Sequence, residues 1–427
     1  MRKLGLLEAT SIGVGTMIGA GIFSILGVGA QICGRNFPLA FFLAALLAYL
    51  IAYSYAKLSS TFVSNAGPIE FVVRGMGDNV LTGSLAVLLW FSYVVSLSLF
   101  VKAFGGYFLA LIGADITGVI LSLVELGVIS FFTALNFFGS KAVGRAEFWI
   151  VMVKVSILLV FVLLGVWSVN PEYVTPLLEP EAVKSTVYAS TVLFLTYMGF
   201  GLITNASENI EDPERNVPRA IYLSLAVVAF IYISVSLTAL GNLGADGLIA
   251  AKEYALAEAA RPFLGSSGFV LVSLGALFST ASAINATLYG GANVSYALAK
   301  EGKLPDIFER KVWFRAPEGL YITAALSFTF ALLFDLSGIA NIISTVFLVI
   351  YVFVLLSHYR LADLTGGNRL LIIFSLMVIL AVLATIMFYQ WGSNRASFYT
   401  ILGVVAGAML LEAFYRKLSG REITERG

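Results

Sequence analysis

Two glycine-rich runs carry the first chemistry legible in this chain: Gly15-Thr16-Met17-Ile18-Gly19-Ala20-Gly21-Ile22-Phe23 and Tyr197-Met198-Gly199-Phe200-Gly201-Leu202-Ile203. Each interrupts an apolar stretch long enough to cross a bilayer. A helix in lipid satisfies its own backbone, so a break is tolerated only where the freed N–H and C=O groups face protein or water. At the first break, the amide N–H groups of Gly19, Ala20 and Gly21 and the positive end of the following half-helix suit a carboxylate. Carbonyls ending the preceding half-helix, near Ser11 to Gly15, suit an ammonium group. The expected binding set is Thr16, Ile18, Gly19, Ala20 and Gly21 from the first run, with Tyr197, Gly199, Phe200 and Gly201 from the second. Gly15, Gly19 and Ala20 also have the spacing of a small-residue helix-packing face. Phe194, Tyr197 and Phe200 could cap a cavity or simply pack. Two breaks at matching places favour a binding site, because paired interrupted spans mark the substrate site of secondary transporters.

Lys154 is the second signal. It sits in the apolar run Phe148-Trp149-Ile150-Val151-Met152-Val153-Lys154-Val155-Ser156-Ile157-Leu158, a dozen or more Å (roughly) from the nearer helix end. A charged lysine at that depth costs at least about 2.5–3.5 kcal/mol, so it is expected to face a cavity or a partner. Low-dielectric surroundings disfavour its charged form, which would let it take up and release a proton in each working cycle. The alternative is a permanently charged structural lysine. Glu125, about a third of the way into span four, is a rival for the proton role, paired with Lys154 or facing water. His358, the one histidine, stands at a helix end and reads as a surface residue. Trp90, Tyr93, Ser279, Thr280 and Ser282 could line a cavity, and helix packing explains them nearly as well.

The elements that must carry these residues are membrane helices. Of the 427 residues, 59% are hydrophobic and 12% charged, about half the charged share of a soluble domain. About twelve stretches approach the length of a membrane helix, near 9–33, 38–59, 80–112, 117–138, 146–168, 186–208, 219–242, 267–298, 319–334, 338–357, 370–389 and 397–414. An even number puts both termini on one side. Most of the 26 Lys and Arg then fall on that side, and the other holds only Arg35, Lys102, Lys184, Lys252, Arg261 and Arg395. The positive-inside rule makes the N- and C-termini cytoplasmic. The single cysteine, Cys33, excludes an intramolecular disulfide and thiolate metal clusters. No metal, cofactor or nucleic-acid partner is expected, and no polar cluster resembles a catalytic constellation, so an enzyme is not expected. Met1-Arg2-Lys3 reads as the start of a span and not as a cleavable leader.

The chain divides into five spans (1–168), five spans (186–358) and a remainder (359–427) with two further spans and a tail. Each set of five opens with a glycine-broken helix. An odd number of spans forces the two sets into opposite orientations, the inverted-repeat architecture of LeuT-type transporters. The fold expected is therefore all-α integral membrane, with twelve transmembrane helices in a 5+5 inverted repeat plus two, spans one and six being discontinuous.

Four motifs in order complete the pattern: Gly19-Ala20-Gly21-Ile22-Phe23; Asn65-Ala66-Gly67-Pro68; Glu211-Asp212-Pro213-Glu214-Arg215-Asn216-Val217-Pro218-Arg219; and Leu298-Ala299-Lys300-Glu301-Gly302-Lys303-Leu304-Pro305. Over roughly the first 310 residues the chain resembles the amino acid–polyamine–organocation (APC) superfamily, and most closely its proton-coupled, broad-specificity archaeal members. The resemblance implies a LeuT-type fold and amino acid transport. It also implies that Lys154 stands where sodium-coupled relatives bind an ion between spans one, five and eight, with Gly15 and Ser279 as its partners. The expected function is a proton-coupled amino acid symporter of broad, mainly neutral specificity, working by alternating access in a cell membrane. Its partners would be an amino acid, the proton and the lipid bilayer; the sequence leaves its oligomeric state open. The alternatives are an amino acid/amine exchanger in which Lys154 is structural, and a sensor that binds but does not transport.

Overall fold

The computed structural model describes residues 3–19, 21–64, 67–116, 118–136, 143–300, 304–311 and 317–419. Ala20 of the first break, Asn65-Ala66 of the second motif and Glu301–Lys303 of the fourth lie outside the described residues.

Among the described residues sixteen α-helices follow one another: α1 (Leu6–Met17), α2 (Gly21–Cys33), α3 (Phe37–Thr61), α4 (Pro68–Met76), α5 (Val80–Leu111), α6 (Gly118–Leu135), α7 (Val143–Gly165), α8 (Pro171–Val174), α9 (Pro180–Leu193), α10 (Pro213–Ala251), α11 (Ala255–Lys300), α12 (Glu318–Leu333), α13 (Leu336–Arg360), α14 (Ala362–Thr365), α15 (Arg369–Ser393) and α16 (Arg395–Ser419). Among the described residues, extended pairing is confined to two isolated bridges, Leu4 with Ile210 and Lys311 with Pro317. The protein is an all-α membrane protein. Nine stretches of described residues are long and apolar enough to cross a bilayer, and Glu318–Leu333 is a shorter apolar helix. Two of the nine hold more than one α-helix. Gly21–Thr61 joins α2 to α3 through the tight turn Gly34–Asn36, and Pro213–Lys300 is bent at Gly244 (φ 74°) and Gly265 (φ 62°). Both bends need a positive φ that only glycine adopts freely.

The helices sort by what surrounds them. Of the most apolar 18-residue windows, 78% is buried in α5 and α13, against 22% in α6 and α16 and 28% in α15. A helix apolar all round belongs in the core; α5 is such a pillar, with α11, α12, α13 and α16 packed on it. The poorly buried helices present Leu, Phe and Val to lipid. Trp149, early in α7, and Trp167, just past its C-terminal end, stand exposed, as tryptophans at two membrane–water interfaces do.

Small residues let the helices approach closely. A Cβ on Gly13 would meet Ile203 and Ser224, and one on Gly291 would lie 3.2 Å from Tyr93 and Thr323. His358 corrects an expectation: it is fully buried, not at the surface. Helix α3 puts Ser54 Oγ 2.7 Å from its Nδ1, and the segment after α13 folds back over it to put Thr365 Oγ1 3.1 Å from its Nε2.

Candidate functional site

The first break lies where the sequence puts it. Helix α1 stops at Met17, Ile18 leaves helical geometry (φ −78°, ψ 35°), and α2 starts at Gly21. The second run does not return to α-helix. After α9 ends at Leu193, residues Phe194–Asn209 wind as a 3-10 helix. A 3-10 run beyond three or four residues is uncommon and marks a hinge or a strained segment. The two breaks touch: a Cβ on Gly199 would lie 2.8 Å from Met17 N and 3.0 Å from Thr16 C, both backbone atoms. Gly199 thus permits backbone-to-backbone approach that any side chain would prevent.

Beside this crossing is a cavity of about 210 Å³, space for a small molecule and some of its water. Gly15, Thr16, Gly19 and Gly21 line it from the first break, Gly199 and Gly201 from the second, and Lys154 from α7. Ser92, Tyr93 and Ser96 of α5, Ser282 and Thr287 of α11, and Phe347 and Tyr351 of α13 also face it, as do Tyr55 and Asn205. Among the described residues that line it, none is a carboxylate. A lysine and the N-terminus of α2 give the space a positive bias, so an anionic group is favoured there.

Lys154 is buried, with only 1% of its surface exposed. Its Nζ donates to Gly15 O at 2.6 Å. Gly15 is in the last turn of α1, whose carbonyls lack partners within the helix and carry the negative end of the dipole. A cation there is favoured by charge as well as by its hydrogen bond. Val151, one turn before Lys154, packs on Gly15, where an added Cβ would come within 2.5 Å. The glycine therefore lets α7 close in far enough for the ammonium to reach.

Other donors take the neighbouring carbonyls. The Ser279 hydroxyl faces Ile18 O at 3.1 Å and Gly19 O. Tyr232 of α10 donates to Met17 O and lies 3.3 Å from Thr196 O. The Thr16 hydroxyl is used within its own helix, on Ile12 O at 2.6 Å.

Three of the expected binding residues stand back from the cavity wall. Ile18 is fully buried in the core. Tyr197 donates to Phe41 O at 3.2 Å and packs on Tyr232. Phe200 meets Tyr55 edge-on and stacks on Tyr351, so it backs two rings that do line the space. Ser279 likewise acts from behind, through the carbonyls it holds. Of the candidates on α5 and α11, Tyr93 and Ser282 reach the wall, whereas Trp90 Nε1 donates to Thr323 Oγ1 at 3.0 Å and Thr280 bonds Ala276 O within its helix. Glu125 is not a partner of Lys154. It pairs with Lys102 at 3.6 Å, and the same Lys102 Nζ donates to Ala331 O at 2.7 Å.

Tyr232, Tyr55, Asn205 and Tyr351 carry no motif and were not expected. One signal could have found Tyr232: a tyrosine deep in a span, away from the interfacial belts, must find a partner for its hydroxyl.

The sequence profile described as amino acid permease matches residues 4–410. An uncharacterized protein of Methanocaldococcus jannaschii is 56% identical over 98% of this chain and 97% of its own length. An inner membrane transport protein of Escherichia coli is 32% identical over 94% of each chain. A methylthioribose transporter of Bacillus subtilis is 29% identical over 72% of this chain and 69% of its own. A match across nearly the whole length, with the helix breaks and cavity described above, settles the family: the chain belongs to the amino acid permeases of the APC superfamily.

Proposed function

We propose that this permease is a proton-coupled amino acid symporter of broad, mainly neutral specificity that works by alternating access. Of about twelve spans, ten form a 5+5 inverted repeat, residues 1–168 and 186–358, two lie outside it in 359–427, and both termini are cytoplasmic. The amino acid lies at the crossing of the two breaks. Its carboxylate faces the N-terminus of α2 around Gly19 to Gly21, and its ammonium group faces carbonyls of the first half-helix and of the second run. The side chain extends toward α5, α11 and α13, where serines, a threonine and aromatic rings accept neutral groups of several sizes. Among the described residues the wall holds no carboxylate, which argues against a cationic side chain.

The observation that carries this reading is Lys154 on Gly15 O. The protonated amine ties α7 to the end of α1 beside the substrate. The neutral amine has lost the charge-assisted part of that bond and releases the half-helix. Ser279 holds the other flank of the same break from α11. A proton bound at Lys154 therefore favours one arrangement of the first half-helix and its loss favours another, which is what coupling requires.

The test is uptake of labelled alanine, serine and glutamine by the protein in sodium-free proteoliposomes with an imposed inward proton gradient. The reading expects accumulation above the equilibrium level that a proton ionophore abolishes. Uptake that requires an internal amino acid and ignores the gradient would mean an exchanger with a structural Lys154.

A further inference from the structure

Tyr232 lies in the middle of α10, outside every motif of the sequence, yet its hydroxyl reaches both breaks. It donates to Met17 O, at the end of α1, and stands 3.3 Å from Thr196 O in the 3-10 segment. The side chain is fully buried. Its ring packs against both Phe41 and Tyr197, with centroids 5.5 and 5.2 Å away, and those two rings also meet each other. A phenol has one proton to donate, and both of these neighbours are carbonyls that can only accept. That proton serves one carbonyl well or both weakly, and the separation of the two breaks decides which. Lys154 and Ser279 grip carbonyls of the first break; Tyr232 touches a carbonyl of each.

We propose that Tyr232 is a positioning residue that keeps the two breaks in step. Its hydroxyl bridges Met17 O and Thr196 O while the segments lie together, and it must give up one of them when they part. The bridge itself follows from the geometry, and its part in transport rests on the alternating-access reading above. Because the ring is fully buried and locked in a cluster of three, the oxygen is a fixed post that the two segments move against. Gly199, which lets the Met17 backbone approach, and Tyr232, which ties that backbone down, are two parts of one crossing.

The test is hydrogen–deuterium exchange of the full-length protein, comparing the parent, Tyr232→Phe and Tyr107→Phe. Tyr232→Phe keeps the ring and its packing. Tyr107→Phe is the control, since its hydroxyl donates to Phe23 O at 2.7 Å, on α2 alone of the broken segments. Losing a typical hydrogen bond should speed local opening about fivefold. In Tyr232→Phe, peptides spanning 14–23 and 194–203 should both exchange faster by about that factor, with distant helices unchanged. Tyr107→Phe should speed the first run only. Tyr232→Phe leaving either run at the parental rate, or speeding all helices alike, would overturn the proposal. A second readout concerns transport: the maximal rate of Tyr232→Phe should fall about fivefold with KM nearly unchanged. A parental maximal rate would overturn the transport role. The exchange measurement needs no substrate, so a parent that carries no amino acid would refute the symporter reading and leave the bridge standing or falling on its own result.

Discussion

Replacing Lys154 by Met removes the donor that lies 2.6 Å from Gly15 O and keeps an unbranched chain able to fill the same space. A hydrogen bond with one charged partner contributes about 1.5–3 kcal/mol net. The position at the end of α1 brings a dipole interaction of up to about 2 kcal/mol in a partly buried site, which overlaps with the hydrogen bond and does not add to it in full. At tenfold per 1.4 kcal/mol, the arrangement in which α7 grips α1 should lose about 10- to 150-fold in population against the released one. In proteoliposomes with an inward proton gradient, the variant should accumulate alanine to about a tenth of the parental level or less. Exchange of labelled for unlabelled alanine, which needs no coupling, should stay within about threefold of the parent. Lys154→Arg keeps a charge that cannot be discharged, so it should also fail to accumulate while still exchanging. Uphill accumulation by Lys154→Met at the parental level, with the parental dependence on external pH, would refute the reasoning.

Four further outcomes follow from the same geometry. Gly199→Ala puts a Cβ 2.8 Å from Met17 N, a backbone atom that cannot swing aside, so uptake should fall more than about tenfold while the variant still reaches the membrane. Ser279→Ala frees the Ile18 and Gly19 carbonyls and should lower uptake about fivefold, whereas Ser279→Thr, which restores the hydroxyl, should recover part of it. Glu125→Gln should leave proton-driven uptake intact but lower thermal stability by about 3–5 kcal/mol, because its partner is Lys102 and not Lys154; lost coupling in this variant would make Glu125 the proton site. Gly67→Ala should cost about 1–3 kcal/mol in a melting measurement, since residue 67 has φ 62° and an added Cβ would strike Asn205 Oδ1.

The fold class was legible because hydropathy and breaks are local properties. Lipid forbids unsatisfied backbone, so glycines at 15, 19, 21, 199 and 201 announce themselves in an apolar run, and five of them do line the cavity. Lys154 was legible for the same reason: a charge at that depth needs an account. What could not be read was which way an aromatic points. Tyr197 and Phe200 sit on the second break yet turn into the core, because Phe41, Tyr232, Tyr55 and Tyr351 offer ring partners there. Those partners are distant in sequence. His358 was misplaced for a related reason. A helix end usually means solvent, but the turn to α14 brings Thr365 and Gly367 back over the ring. Glu125 lay at a depth similar to Lys154, and only the packing of α6 on α5 shows that Lys102 is the cation it meets. The extended 3-10 winding of Phe194–Asn209 has no composition signature beyond its glycines.

Proton flux that accompanies the amino acid is the measurement that bears on the whole account. Proteoliposomes loaded with a pH-sensitive dye, without sodium and without internal amino acid, would receive external alanine at matched pH on both sides. The account predicts internal acidification that starts with alanine, saturates with it, and is absent in Lys154→Met. Alanine entry with no acidification, or acidification unchanged in Lys154→Met, would contradict it.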